Sequence, residues 1–192
     1  MAANAKRVHR LKVTLREVKP PVWRRIEVPS SIQLSELAPV LEAAMGWLGG
    51  HLHSFEIAGV RYETPDDDDF GFPIAEDERK VRLREVLPVV KSKMQWSYDF
   101  GDGWKHDVWV EAIEARRNDV VYPVCIDGKR ACPPEDCGGP WGYGDLLAAL
   151  GDPAHDDHEQ MTEWAPPGFD AEGFDADEAT ETMRSPRPLA GW

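Results

Sequence analysis

Residues 94–110 read MQWSYDFGDGWKHDVWV, and this stretch decides the fold. Met94, Trp96, Tyr98 and Phe100 alternate with polar residues, Gly101-Asp102-Gly103 supplies a turn, and Trp104, His106, Val108 and Val110 resume the alternation. A period of two on both sides of a glycine turn predicts an antiparallel hairpin with one buried face. On the N-terminal side, His9, Leu11, Val13 and Leu15 form one row against Arg10, Lys12, Thr14 and Arg16. After Pro20-Pro21, Val22, Ile26 and Val28 form another, with Arg24 its one charged member, so two neighbouring strands are expected. His51, His53, Phe55 and Ile57 begin a further hairpin that turns at Ala58-Gly59. Between these strands, Leu34, Leu37, Val40, Leu41, Ala44, Met45 and Leu48 recur at three- and four-residue spacing, which predicts one amphipathic helix over 34–48, capped near Ser35 and stopped by Gly46, Gly49 and Gly50.

On the C-terminal side, Tyr122 to Cys125 reads as a last strand and Asp127-Gly128 as a turn. The Pro/Gly-rich run Cys132 to Pro140 reads as loop, and helices are expected over Asp145 to Leu150, His155 to Trp164 and Asp175 to Met183. The acidic stretch from Asp66 to Asp69 through Asp77 is expected as a surface loop, followed by a helical turn near Leu83 to Leu87. The fold class is therefore α+β: a single domain over residues 1–184, a curved antiparallel sheet of five to seven strands packed on one main helix, with C-terminal helices on one side and a frayed tail at 185–192.

Composition narrows the function classes. With 192 residues, 42% of them hydrophobic and eight Trp, the chain can bury a substantial core, which excludes a disordered protein. The net charge of -13 disfavours a surface given over to nucleic acid or anionic membrane. Charge is nevertheless polarised: residues 1–25 carry eight basic side chains against Glu17, while the chain from Asp152 onward carries eleven acids against two arginines. These opposite charges suggest a contact between the basic strands and the acidic C-terminal helices, within one chain or between two. No apolar stretch is long enough for a membrane span, and Met1 to Arg10 lacks a signal-peptide core, so a cytoplasmic location is expected. Three cysteines argue against a disulfide framework.

Five ordered motifs carry a resemblance. They are Pro21-Val22-Trp23-Arg24-Arg25-Ile26; Met45-Gly46-Trp47 with His51-Leu52-His53-Ser54-Phe55; Tyr98 through His106; Pro133-Pro134-Glu135-Asp136-Cys137-Gly138-Gly139 with Gly142-Tyr143; and Phe169-Asp170 with Phe174-Asp175. Together they resemble the plasmid pRiA4b ORF-3-like domain family over roughly residues 8–184. The resemblance implies a single α+β domain of bacterial or archaeal type, encoded near plasmids and insertion elements, some members being labelled a TnpR-like passenger protein. It implies no particular chemistry, and no serine-recombinase pattern occurs in the chain.

Several constellations carry possible chemistry. His51, His53 and His106, with Asp99 and Asp102, place imidazoles and carboxylates at strand ends, where a divalent metal such as zinc could be held. Each histidine also fits a core position beside an apolar row. Cys125, Cys132 and Cys137 lack paired Cys-x-x-Cys spacing and form a weak metal signal. Glu135 and Asp136 sit in a glycine-rich loop that a ligand could approach, although Asp136 bonding loop amides is the plainer role. His155 and His158 lie among acids and fit a solvated helix start. Arg10, Lys12, Arg16, Arg24 and Arg25 could lay a basic ribbon on nucleic acid or simply protect an exposed sheet edge. No phosphate loop, dinucleotide fingerprint, His-Glu-x-x-His or Gly-x-Ser-x-Gly occurs.

Three functions follow. The first is a binding or accessory module that holds a protein or small ligand at an aromatic and histidine-lined surface around Trp47, His51, His53, Tyr98, Trp104 and His106. The second is a metal-dependent hydrolase using the histidines with Asp99 or Asp102. The third is a DNA-associated accessory factor of mobile elements.

Overall fold

The computed structural model describes residues 7–65 and 75–185, so the acidic run Asp66 to Asp69 and the tail beyond 185 lie outside the described residues. Eight strands form one sheet: β1 (Arg7–Leu15), β2 (Trp23–Pro29), β3 (His53–Ile57), β4 (Val60–Glu63), β5 (Glu76–Asp77), β6 (Lys93–Tyr98), β7 (Trp104–Ala115) and β8 (Val124–Lys129). Their order is β5-β4-β3-β6-β7-β1-β2-β8, and every pairing is antiparallel except β4 with β5. Five helices accompany the sheet: α1 (Leu34–Met45), α2 (Leu83–Val86), α3 (Gly139–Gly151), α4 (His158–Trp164) and α5 (Ala176–Arg184).

The alternating rows behave as their period requires. Leu11, Val13 and Leu15 of β1, Ile26 and Val28 of β2, Met94, Trp96 and Tyr98 of β6, and Val108 and Val110 of β7 are all buried in one core with Leu34, Leu37, Leu41 and Met45 of α1. The helix covers this inner face. It starts at Gln33 rather than Ser35, because the Glu36 carboxylate accepts the Gln33 amide at 2.9 Å. It ends at Gly46, whose φ of 101° lets its amide turn back to the carbonyls of Glu42 and Ala43.

Other elements depart from expectation for identifiable reasons. The β6–β7 connection is wider than the glycine turn alone: Asp99 adopts a φ of 54° and its Oδ1 accepts the amides of Gly101 and Asp102 at 2.9 and 3.3 Å, leaving Phe100 exposed instead of on the buried row. The Asp127-Gly128 pair lies inside β8 and is not a turn. Gly128 is there because a Cβ would meet the Phe174 ring at 2.5 Å. The Pro/Gly run was expected to stay irregular through Pro140, yet α3 begins at Gly139, with Pro140 in its first turn, and packs Gly142 so closely that a Cβ would overlap the Cys137 carbonyl. β5 is only two residues long and carries no sequence period.

Candidate functional site

The site is assembled where the C-terminal end of α1, the start of β3, the β6–β7 turn and the loop 131–138 meet. Together with residues 61–65, 75–81 and the C-terminal stretch 164–182, they line an open groove of about 2120 Å³, larger than the roughly 300–1,000 Å³ of an ordinary small-molecule pocket. Its walls carry Glu42, His51, His53, Glu78, Glu135 and Asp136.

The aromatic residues expected to form the ligand surface are buried. Trp47, Tyr98, Trp104 and His106 are each at most 4% exposed. They form a stacked slab beneath the groove: Trp47 lies on Tyr98 with centroids 4.8 Å apart, and His106 sits 4.4 Å from Trp96 and edge-on to Trp47. The slab anchors the loop that carries the acids. Trp47 Nε1 donates to the Pro133 carbonyl at 3.0 Å, and Tyr98 Oη donates to Glu135 Oε1 at 2.7 Å. Glu135 Oε2 also accepts the Leu48 amide at 3.2 Å. Burial pushes the Tyr98 hydroxyl far above its usual range, with the Glu135 hydrogen bond adding to the shift, so it stays a donor. Burial likewise holds the His106 imidazole down at about 3, neutral at physiological pH. His106 is fully buried in the core, with its Nδ1 3.3 Å from the Trp96 carbonyl, and lies in none of the possible metal-donor groups among the described residues.

Asp102 belongs to the scaffold. Its Oδ2 accepts the Gly138 amide at 3.2 Å, and its carbonyl would overlap a Cβ on Gly139, so Gly139 at a φ of 70° is required there.

What remains in the groove is a set of histidines and carboxylates. His51 is bracketed: Nδ1 lies 3.6 Å from Asp99 Oδ2 and Nε2 lies 3.7 Å from Asp136 Oδ1. Both distances exceed hydrogen-bond length. One donor atom from each of His51, Asp99 and Asp136 falls within 4.8 Å of the others, a spacing compatible with a metal ion, and among the described residues no such group includes a cysteine. His53 Nε2 lies 3.0 Å from Glu78 Oε2, while its Nδ1 lies 3.8 Å from Glu42 Oε1. Burial lowers the affinity of His53 for a proton, but the Glu78 hydrogen bond and the charges of Glu78 and Glu42 outweigh it and raise the pKa above the ordinary value. Burial raises the pKa of Glu42, opposed by His53 and reinforced by Glu135 and Glu78.

Of the candidate ligand residues, Trp47, His51, His53, Glu135 and Asp136 line the groove, and Asp99 stands outside its lining, 3.6 Å from His51. Glu42 and Glu78 were missed. Glu42 had a legible signal, one acid inside the apolar run Val40 to Met45; Glu78 sits in an acid-rich connection with none. Cys132 lines the groove, but none of the three cysteines joins a group of possible metal donors among the described residues. Cys125 is buried on β8, where its amide bonds Thr180, and burial raises the thiols of all three, Cys137 to about 12.

The basic ribbon is also mostly spoken for. Arg24 is 2% exposed on the inner face, donates to the carbonyls of Ala44, Trp23 and Lys129, and lies over the Phe174 ring at 4.1 Å. It is structural and presents nothing to nucleic acid. Arg10 pairs with Glu27 and Glu114, Arg25 with Glu111 and Asp127, and Lys12 lies over Trp23. The counter-charges thus come from β2, β7 and β8, not from the C-terminal helices. Arg16 is exposed and reaches Gln95 at 3.4 Å. His158 is not a ligand either, its Nδ1 lying 2.8 Å from the Ala149 carbonyl at the junction of α3 and α4. Among the described residues no helix is long and apolar enough to cross a membrane.

A mostly antiparallel open sheet with one covering helix, C-terminal helices and a histidine–carboxylate groove defines an α+β protein of the single-domain kind. Comparison with known proteins makes this specific. The chain belongs to the plasmid pRiA4b ORF-3-like protein family, whose model matches residues 7–178. It is 43% identical over 158 residues to the uncharacterized protein y4hQ of Sinorhizobium fredii, covering 82% of this chain and 80% of that one. It is also similar to the crystal structure of MM3350, a protein of unknown function from Methanosarcina mazei Go1, with a TM-score of 0.82 and 34% identity over 90% of this chain and 97% of the other.

Proposed function

We propose that this protein is a binding module of accessory type, whose groove takes a divalent cation at His51, Asp99 and Asp136 and holds a protein or small ligand over it. The observation that carries this reading is the bracketed imidazole of His51, with carboxylate oxygens 3.6 and 3.7 Å from its two nitrogens. An imidazole binds a metal through one nitrogen only. The other is ordinarily oriented by a carboxylate, so on binding one aspartate would ligate beside His51 and the second would close to hydrogen-bond distance of the ring. The nitrogen and oxygen donors suit zinc or a similar first-row ion. The groove beyond this point is large enough for a chain segment as well as a small molecule.

The metal-dependent hydrolase is the second reading, favoured by the small number of protein donors: an ion held by so few keeps positions for water. Metal content per chain, measured by elemental mass spectrometry on untagged protein purified without chelator, tests both. Bound zinc, manganese or iron that falls away in Asp136→Asn supports the cation site; protein that stays metal-free after incubation with those ions overturns it. Turnover of ester or phosphodiester probes by the loaded protein, lost in Asp136→Asn, would move the hydrolase ahead.

A further inference from the structure

Glu42 poses a separate problem from His51. Its side chain is 9% exposed, on helix α1, yet among the described residues it makes no hydrogen bond, and it lines the groove. Its nearest opposite charge is His53 Nδ1, at 3.8 Å. A mostly buried carboxylate whose one ionic partner stands beyond hydrogen-bond length keeps acceptor capacity directed at the groove. Two of its neighbours in the groove wall are held by contrast: Glu135 by Tyr98 and the Leu48 amide, Glu78 by His53 and Thr64.

His53 supplies the complement. Its Nε2 is fixed on Glu78 Oε2 at 3.0 Å, and Glu78 Oε1 in turn accepts the Thr64 hydroxyl at 2.7 Å. A histidine whose one nitrogen is tied to a carboxylate presents the other as a lone pair in a fixed direction, which is how metal-binding imidazoles are oriented. Here the free nitrogen faces Glu42. The separation is informative: two donors bonded to one ion at 2.0–2.2 Å stand about 3.4 Å apart at the tetrahedral angle and about 3.7 Å apart at 120°. The 3.8 Å between His53 Nδ1 and Glu42 Oε1 is too long for a hydrogen bond and close to that edge. Both donors stand on regular elements, Glu42 in the last turn of α1 and His53 at the first residue of β3.

We infer that Glu42 and His53 form a second divalent-metal position, distinct from the His51 position, with Glu78 and Thr64 as the layer that orients the imidazole. The mixed nitrogen and oxygen donors select a zinc-like first-row ion over magnesium or calcium, which prefer oxygen throughout. This position does not depend on the His51 site being occupied. Glu42 also feels the charges of His51 and Glu135, so an ion at either position changes the field at the other.

The test is isothermal titration of the full chain, stripped by chelator and dialysed, with zinc chloride near neutral pH. Wild type is expected to bind at two positions, and Glu42→Gln and His53→Gln each to lose one while keeping the event that Asp136→Asn removes. Glu78→Gln should keep both events but weaken one by about 10–100-fold, as loss of an orienting partner does. Two substitutions guard against one failing to fold, with circular dichroism of each as control. A Glu42→Gln isotherm identical to wild type overturns the second position and leaves the His51 site standing. Binding that survives Asp136→Asn but vanishes in Glu42→Gln supports the inference and overturns the His51 site. No zinc binding in wild type overturns both, and His53 is then an imidazolium paired between two glutamates.

Discussion

Glu27 and Glu42 are both carboxylates withdrawn from water, one on the outer face of the sheet and the other on the helix that covers its inner face. Glu27, 3% exposed, accepts from Arg10 through Oε1 at 2.8 and 3.1 Å and from Arg117 through Oε2 at 3.4 Å. Its neighbours repeat the pattern, with Arg25 bidentate on Glu111 and Asp127 alongside. The Glu42 carboxylate has no hydrogen bond among the described residues and shares its surroundings with two other acids, Glu78 and Glu135, and two histidines, His51 and His53. The outer face spends its charges on itself. The groove leaves some of them uncommitted, which separates a structural set of ionisable residues from a functional one more sharply than their identities do.

The largest effect expected from this contrast is at Glu27. Glu27→Gln removes a charge that several guanidinium bonds converge on, so the protein should lose about 2 kcal/mol of stability, at the lower end for charge-assisted buried bonds because Arg117 is mostly exposed. Urea unfolding of the two proteins checks it. An unchanged midpoint would show that the outer ladder is ornamental and that pairing alone does not mark a structural charge.

His106 gives a smaller, pH-dependent effect. Burial lowers its pKa from 6.5 to about 3 in the folded chain, so the unfolded state takes up the proton first. Its contribution to stability is complete above 6.5 and is lost as pH falls toward about 3. Between pH 6.5 and about 5.5 that loss is about 1 kcal/mol. His106→Leu should remove this part of the acid sensitivity and leave the part due to His9, whose pKa burial also lowers. Equal losses in the variant and wild type, measured by urea unfolding at the two pH values, would mean that His106 is not the neutral core residue its surroundings require.

How far the sequence could be read follows from where periodicity exists. The rows of β1, β2, β6 and β7 and the apolar face of α1 are set by burial on one face, and their residues show it directly. The same rows misled at the site. Trp47, Tyr98 and Trp104 are aromatic enough to line a pocket, but Tyr98 and Trp104 point inward from central strands and Trp47, just past the end of α1, packs onto them in the core, and nothing local says which face the helix will cover. Gly128 and Gly139 read as loop punctuation, whereas each marks a close approach made by a residue distant in sequence, Phe174 and Asp102. Glu78 reaches His53 from 25 positions away through a connection with no period, so only the folded chain unites them.

The smallest expected effect, at Glu42, is the most discriminating. Glu42→Gln keeps the shape of the side chain and removes a charge for which the metal-free fold provides only a distant imidazole. The stability of metal-free protein should therefore change by less than about 1 kcal/mol, and a gain is as acceptable as a loss, because relief from burying an ion offsets the weakened attraction to His53. Burial raises the pKa of Glu42, which points the same way: the fold does little to favour its charged form. Urea unfolding beside Glu27→Gln makes the comparison direct, since both substitutions are isosteric and both sites are shielded from water. If Glu42→Gln proved as damaging as Glu27→Gln, the attraction across 3.8 Å to His53 would be holding the helix to the strand, and the groove would belong with the paired charges of the outer face. If it proves neutral, Glu42 is held in place by α1 and not by any partner, which is the condition for a ligand to supply one.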